Sequence, residues 1–336
     1  MGWVDVALTP RGAREAASAG ELLRSQRITI DAAWTSQLRR ASRTAELCLE
    51  ACQGAAAPPL RMDARLNERH YGALQGVRKD DRGPLRAPVA HSTLPRALTE
   101  AELELARRSM RAAPPAMAPS HPHFERGAPV TESLADCQER VLRCFDEAVA
   151  PALEAGGATV LVAAHANTLR ALIAALDGVP DALVPKIFVP NAVPCCYEVE
   201  AATLEPTAPR LATSSGGSHA RWLLSAENYD RLADKIGVKA LARNIFEAWD
   251  ANGDGLLDVG ELRAGLRATT GGDDVAVAAG AGAILADLDE DGDGTISRAE
   301  FEARAETACR RFVPSPVGLG DAATRGYAGP DDKGAS

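Results

Sequence analysis

The sequence predicts an α/β fold with parallel strand pairing, followed by an all-α module. Three observations carry this. Helical and strand-like stretches alternate from residue 11 to about residue 199. A short β-branched apolar run at residues 159–164 stands between two helical stretches, the pattern of a strand buried on both faces. From about Asn228 the pattern becomes purely helical and acidic.

The elements follow in order. Residues 11–24 read as an amphipathic helix rich in helix formers. Residues 28–34 read as a short strand. Thr35 and Ser36 then stand where an N-cap belongs, before a helix running to about Cys52. Residues 80–130 hold Pro84, Pro88, Pro95, Pro114, Pro115, Pro119, Pro122 and Pro129, and read as loop broken by one helix near residues 100–110. Thr131-Glu132-Ser133 opens a helix to about Leu153, which Gly156-Gly157 ends. After the strand at 159–164, residues 193–199 read as another strand. Residues 213–218 (Thr-Ser-Ser-Gly-Gly-Ser) are a flexible loop.

Composition bounds the function classes. With 336 residues, the chain holds one sizeable α/β domain and a smaller one. The net charge of −9 and the lack of a basic stripe argue against a nucleic-acid partner. Much of the acid sits in two short loops near residues 250 and 290. Seven cysteines at irregular spacing form no disulfide framework, which predicts reduced, mostly buried thiols in a cytoplasmic protein. No basic-then-apolar leader is read at the N-terminus, and Val6 breaks a myristoylation pattern. No apolar run reaches membrane-spanning length, so no membrane partner is expected.

The segment Leu66-Asn67-Glu68-Arg69-His70-Tyr71-Gly72-Ala73-Leu74-Gln75-Gly76 packs an acid, two cations and a phenol into one Gly-bounded loop. That combination suits a site that holds a small phosphorylated acid and moves a proton. Arg offers bidentate geometry to carboxylate or phosphate oxygens, and Lys a point charge. His165 follows a strand and precedes a helix, where strand ends and helix N-termini form anion sites. To act as an acid, Glu68 must carry a proton near neutral pH, and neighbouring negative charge would raise its pKa.

The same segment resembles the LNERHYGALQG stretch of the cofactor-dependent phosphoglycerate mutases of the histidine phosphatase superfamily. Further segments agree. Gly2-Trp3-Val4-Asp5-Val6-Ala7-Leu8-Thr9 is similar to the family's TGWxDxxLT, and residues 35–41 to its TSxLxRA. Thr131-Glu132-Ser133-Leu134 is similar to TESL, and residues 163–171 to AAHGNSLRA. The resemblance implies a phosphoglycerate-mutase-like sheet flanked by helices over residues 1–228. It implies interconversion of 2- and 3-phosphoglycerate through a phosphohistidine primed by 2,3-bisphosphoglycerate. It makes Glu68 the general acid/base and His165 the second catalytic histidine. It carries substrate contacts onto Gly2, Arg40, Arg69, His70, Tyr71, Lys79, Arg107, Arg108, Ala166 and Asn167. It also allows a homo-oligomer through this domain.

Three departures stand out. The family begins with a strand ending in Arg-His-Gly, whose His is the nucleophile, and this sequence starts after that point. Ala166 replaces the Gly that follows the second histidine. Residues 80–106 diverge and are Pro-rich. The expectation is a phosphoglycerate-mutase-type isomerase without its N-terminal strand, inactive as written because the sequence is a fragment or truncated gene model. One alternative is a calcium-sensing pseudoenzyme that binds phosphoglycerate without turnover. A phosphatase of the same superfamily is another.

The acidic region reads differently. Asp250, Asn252 and Asp254, Gly255, the Leu256 carbonyl and Glu261 occupy positions 1, 3, 5, 6, 7 and 12 of an EF-hand loop. Asp289, Asp291, Asp293, Gly294, Thr295 and Glu300 repeat it. Hard Ca²⁺ takes such oxygen ligands, with the last Glu bidentate. Leu257 and Ile296, at position 8, are expected to pair in a short strand. The entering helices show matched apolar spacing at Ala242, Ile245, Phe246, Trp249 and at Ala281, Ile284, Leu285, Leu288. The predicted organisation is therefore a mutase-like domain at 1–228, an EF-hand pair at 229–312 and a disordered tail at 313–336.

Overall fold

The computed structural model describes residues 2–77, 98–99, 101–102, 105–106, 109–154, 156–187, 189–207, 219–223, 228, 242, 245–246, 249–270 and 274–304. Contacts divide the chain into two compact units, residues 1–175 with 180–185, and residues 176–179 with 186–336.

In the first unit, α1 spans Pro10–Ser25. Thr9 caps it, its hydroxyl accepting from Gly12 N at 3.0 Å, and Pro10 supplies a φ already suited to a first turn. Ala16, Ala19, Leu22 and Leu23 form its buried face, and it packs on α2, Arg39–Gln53. Strands β1 (Ala32–Thr35), β2 (Leu60–Met62) and β3 (Val160–Ala163) form one parallel sheet in the order β2-β1-β3. The register pairs Ala33 with Leu60 and Leu161, and Thr35 with Met62 and Ala163.

Successive residues of β1 point to opposite faces. Ala33 packs with Ile30 and Leu49 on the α2 side, and Trp34 packs with Leu66, Cys144 and Val149 on the other. Helices cover both faces, as a parallel sheet requires. Trp34 is 3% exposed, so Trp34→Ala would leave a core cavity at a cost of about 3–5 kcal/mol. The second face is covered by α3 (Leu134–Cys144), a π-turn at Phe145–Val149 and α4 (Ala150–Glu154). A capping box starts α3: Ser133 accepts from Asp136 N and Asp136 accepts from Ser133 N. Helix α5, Ala166–Leu176, follows β3 directly.

Several expectations are corrected here. The first strand begins at Ala32, because residues 28–31 are held by other bonds: Ile28 N donates to Leu23 O, and the Gln53 side chain pairs with both Ile30 N and Ile30 O. Leu38, not Thr35 or Ser36, is the N-cap residue of α2, and it makes no side-chain cap bond. Thr35 lies inside β1, donating from its hydroxyl to Ala163 O at 2.7 Å. Strand β3 is half-buried along its whole length, and among the described residues nothing pairs with its edge away from β1. Residues 101, 102, 105 and 106 are helical as predicted, but Ser109 and Met110 lie beyond the helix.

In the second unit, β4 is only Cys195–Cys196, and it pairs antiparallel with β5, Arg221–Trp222, a pairing the sequence reading did not anticipate. The flanking Pro194 has no N–H to extend that ladder. Strand β6 (Leu256–Leu257) pairs antiparallel with β7 (Ile296–Ser297), and Leu257 faces Ile296 as predicted. Around this ladder lie α6 (Val259–Thr270), α7 (Asp274–Leu288) and α8 (Arg298–Ala303). Phe301 meets Phe246 edge-on at 5.6 Å and Trp249 at 6.5 Å, and Ala242, Ile245, Ala281, Ile284 and Leu288 are buried. The predicted loop at 213–218 and tail at 313–336 lie outside the described residues. Among the described residues no helix is long and apolar enough to cross a membrane. Cys48, Cys52, Cys137 and Cys144 are free and buried.

Candidate functional site

The segment 66–76 forms an irregular platform at the end of the parallel sheet. Its polar groups are held partly by other elements and partly within the segment itself. Asn67 Oδ1 accepts from Gln37 N at 3.0 Å, and Asn67 O accepts from the Thr168 hydroxyl at 2.9 Å. Gly72 has φ +55° and packs so closely that a Cβ there would fall 2.1 Å from Pro115 O, which only glycine tolerates.

Glu68, His165, Asn167 and Tyr71 converge. Asn167 Nδ2 donates to the Tyr71 hydroxyl at 2.8 Å, and Arg170 donates to Asn167 Oδ1. Glu68 Oε1 accepts from Arg69 N at 2.8 Å. His165, 7% exposed, stands between β3 and α5, with Nε2 at 2.7 Å from the Ser36 hydroxyl.

The electrostatics of the pair are set by burial and by the groups around it. Burial pushes the Glu68 carboxyl up, but His165, the Arg69 amide, the Asn167 side chain and Arg170 outweigh it and hold its pKa below the usual glutamate value. In the free protein, then, Glu68 is ionised rather than poised as an acid. His165 moves the other way. Burial lowers it to about 4, with Arg40 and Arg140 adding to the effect and Glu68 opposing it, so it is neutral at neutral pH.

The remaining predicted contacts fall as follows. Arg40 donates to Gly2 O at 2.7 Å and Val4 O at 3.0 Å, which ties the N-terminal segment to α2, and burial lowers its pKa. Arg69 is fully buried, donates to Ala106 O at 3.0 Å and lies 4.7 Å over the Tyr71 ring. His70 is 2% exposed, its Nδ1 accepts from Gly72 N at 3.2 Å, and burial lowers its pKa to about 4. Ala166 is the first residue of α5 and is not among the residues with positive φ, so the missing glycine costs the backbone nothing there. Lys79, Arg107 and Arg108 lie outside the described residues.

Sequence reasoning missed four participants. Ser36 was read as a cap; its contact with His165 spans 129 positions and has no local signal. Arg170 sat inside a matching segment without a role. Glu132 and Arg140 form a buried ion pair beneath the platform, with Nε to Oε1 at 2.6 Å.

The two acidic loops form a second candidate site in the other unit. Asp250 accepts from Gly253 N and Gly255 N, and Asp289 from Gly292 N and Gly294 N. Gly255 and Gly294 have φ +84° and +88°, the sharp turn at position 6. Single carboxylate oxygens of Asp289, Asp291 and Asp293 lie within 4.8 Å of one another. Glu261 Oε1 accepts from Ala251 N and Asn252 N, closing the first loop, and Glu300 Oε1 accepts from Glu290 N, closing the second. Hydrogen bonds from Ser297 and the Glu290 amide lower the Glu300 carboxyl to about 2. An all-oxygen donor set of this kind fits a hard divalent cation, and Asp250, Asn252, Asp254, Leu256 O and Glu261, with Asp289, Asp291, Asp293, Thr295 O and Glu300, would hold two.

Known proteins resemble both parts of the chain. The EF-hand domain pair matches residues 239–306. A 2,3-bisphosphoglycerate-dependent phosphoglycerate mutase of Bifidobacterium longum (strain DJO10A) is 39% identical over 217 residues, covering 62% of this chain and 82% of that protein. Among solved structures, a mycobacterial glucosyl-3-phosphoglycerate phosphatase is 28% identical, covering 57% of this chain and 78% of its own, with a TM-score of 0.43. Bacillus stearothermophilus YhfR is 23% identical over 62% of this chain and 86% of its own, with a TM-score of 0.44. Residues 1–113 and 96–208 match the histidine phosphatase superfamily (branch 1), and with the mutase likeness over 217 residues this chain belongs to that superfamily.

Proposed function

We propose that residues 1–228 form a phosphoglycerate-mutase-type site and that residues 229–312 bind two calcium ions. One observation carries the first half: Glu68, His165, Asn167 and Tyr71 converge at the end of a parallel sheet, with Arg40 and Arg170 beside them. The ligand is a small phosphorylated acid, 2- or 3-phosphoglycerate. Arg40 and Arg170 supply fixed positive charge, and Lys79, Arg107 and Arg108 are proposed to add to it. Tyr71 and Asn167 orient the ligand. His165 donates a hydrogen bond to phosphoryl oxygen and becomes fully cationic when an anion raises its pKa. The same anion raises the Glu68 pKa, which turns Glu68 into a proton donor once the site is filled.

The resemblance places the phosphoryl-accepting histidine in an Arg-His-Gly, and the 336 residues contain none. Among the described residues no strand pairs with the outer edge of β3, which ends just before His165, and such a strand is proposed to pair there. These 336 residues alone are therefore proposed to bind phosphoglycerate without turnover. 2,3-Bisphosphoglycerate is the proposed primer of any form that carries the nucleophile. A homo-oligomer and a cytoplasmic location belong to the same reading, the latter supported by the free, buried thiols.

Incubation with 2,3-bisphosphoglycerate tests the catalytic half. The expected result is no acid-labile phosphohistidine and no mutase turnover. Turnover that persists through purification and disappears in Glu68→Gln would overturn the proposal. Steady release of inorganic phosphate from a phosphomonoester would favour the phosphatase reading instead.

A further inference from the structure

The buried pair beneath the platform is unusual in where its hydrogen bonds go. Arg140 binds Glu132 through both forks, Nε to Oε1 at 2.6 Å and Nη2 to Oε2 at 2.9 Å. The same guanidinium donates to the carbonyls of Arg65 at 2.7 Å, Asn67 at 2.8 Å and Glu68 at 2.9 Å. Glu132 Oε2 also accepts from His70 N at 2.7 Å. One ion pair thus fixes the backbone on both sides of the acid. The Trp3 indole adds a second donor to Glu68 O, and its ring lies 5.9 Å from the Arg140 guanidinium.

Beyond the short turn at Ala64–Leu66, residues 67–70 have no helix or sheet ladder to hold their carbonyls. A buried ion pair is also a poor device for stability alone, because desolvating two charges offsets most of their attraction. Its value is geometric: a planar, five-donor fork reaches several fixed acceptors at once, which lysine cannot do. We propose that Arg140 and Glu132 are positioning residues that fix the segment 65–70 and thereby set the reach of Glu68 toward Asn167 and His165. Neither residue touches the ligand in this account. The inference rests on the phosphoglycerate reading only for the affinity it sets.

The test uses the full chain with Arg140→Lys, which keeps the charge and loses the fork, and with Glu132→Gln, which keeps the shape and loses the charge. Amide hydrogen exchange is measured for peptides covering 66–71, β1 and α2, alongside 3-phosphoglycerate affinity and calcium affinity. The expected result for either variant is exchange at 66–71 at least tenfold faster, little change at β1 and α2, and phosphoglycerate binding weakened about tenfold. Calcium affinity stays as in the parent chain. Unchanged exchange at 66–71 in a folded variant would overturn the proposal. So would uniform loosening of the whole unit with affinity intact, which is what a purely structural pair would give. If the parent chain binds no phosphoglycerate, the functional reading fails, and the exchange pattern alone decides the clamp.

Discussion

The Ser36 hydroxyl and His165 Nε2 stand 2.7 Å apart in the interior, joining the end of β1 to the end of β3. Ser36 Oγ also accepts from Leu38 N at 3.2 Å. Which group donates depends on the tautomer of His165: a hydroxyl donating to Nε2 leaves the ring proton on Nδ1, and a ring donating from Nε2 leaves Nδ1 without one.

Ser36→Ala should therefore do two things. It leaves a buried ring nitrogen without this partner, at a cost of about 1–3 kcal/mol in unfolding free energy. It also frees the tautomer, which imidazole nitrogen chemical shifts would report. A Ser36→Ala protein with unchanged stability and an unchanged His165 tautomer would remove the pairing from the account.

Acid should weaken the fold through two buried histidines. His70 and His165 both fall from 6.5 to about 4 on burial. Each is neutral when folded and protonates more readily when unfolded, so the unfolded state binds more protons between those values. Stability is fully present above about pH 6.5 and is lost as pH falls toward 4. Each displacement is worth on the order of 3 kcal/mol. Denaturant titrations from pH 7.5 to 4.5 should show this slope, and His70→Gln should flatten it. A flat profile for the parent chain would mean that both rings are solvated.

Ligand binding should take up protons. An anion beside a neutral His165 and an ionised Glu68 raises both pKa values. Binding heats at pH 7 should differ between buffers of different ionisation enthalpy by an amount that indicates proton uptake, and affinity should rise from pH 8 to pH 6. Proton release on binding would contradict the assigned charge states.

Calcium binding should occupy two sites with dissociation constants of about 10⁻⁷ to 10⁻⁵ M if the pair acts as a sensor. Glu261→Gln and Glu300→Gln should each strongly weaken one site, because each removes a charged bidentate ligand. Terbium luminescence and calorimetry would count the sites. A single site in the parent chain would refute the assignment of one loop. Trp249, one position before Asp250 and 3% exposed, is placed to report the change, with Trp249→Phe as the control for the other indoles.

Much of this was legible in the sequence because the signals are local. The EF-hand loops carry their ligands within twelve positions, and the Leu257–Ile296 pairing follows from position 8 in each loop. The parallel sheet was legible from apolar runs between helices. Ser36 was not, because a Ser before a helix looks like a cap wherever its hydroxyl points. The lowered pKa of Glu68 in the free protein was not legible, because His165, Asn167 and Arg170, which help hold it down, become neighbours only in the fold. Arg140 was missed for the same reason: its three carbonyl acceptors lie 72 to 75 positions away. The strand at 159–164 was read as doubly buried because sequence shows the apolar run but not what pairs along its edge.

Calorimetric titration of the full chain with 3-phosphoglycerate tests the central claim most directly. The account predicts saturable binding at one site, weakened by added salt because the contacts are largely electrostatic. Arg40→Met should weaken it about tenfold, the factor that about 1.4 kcal/mol gives. A folded chain that loads both EF-hands with calcium yet gives no saturable binding of 3-phosphoglycerate would contradict it.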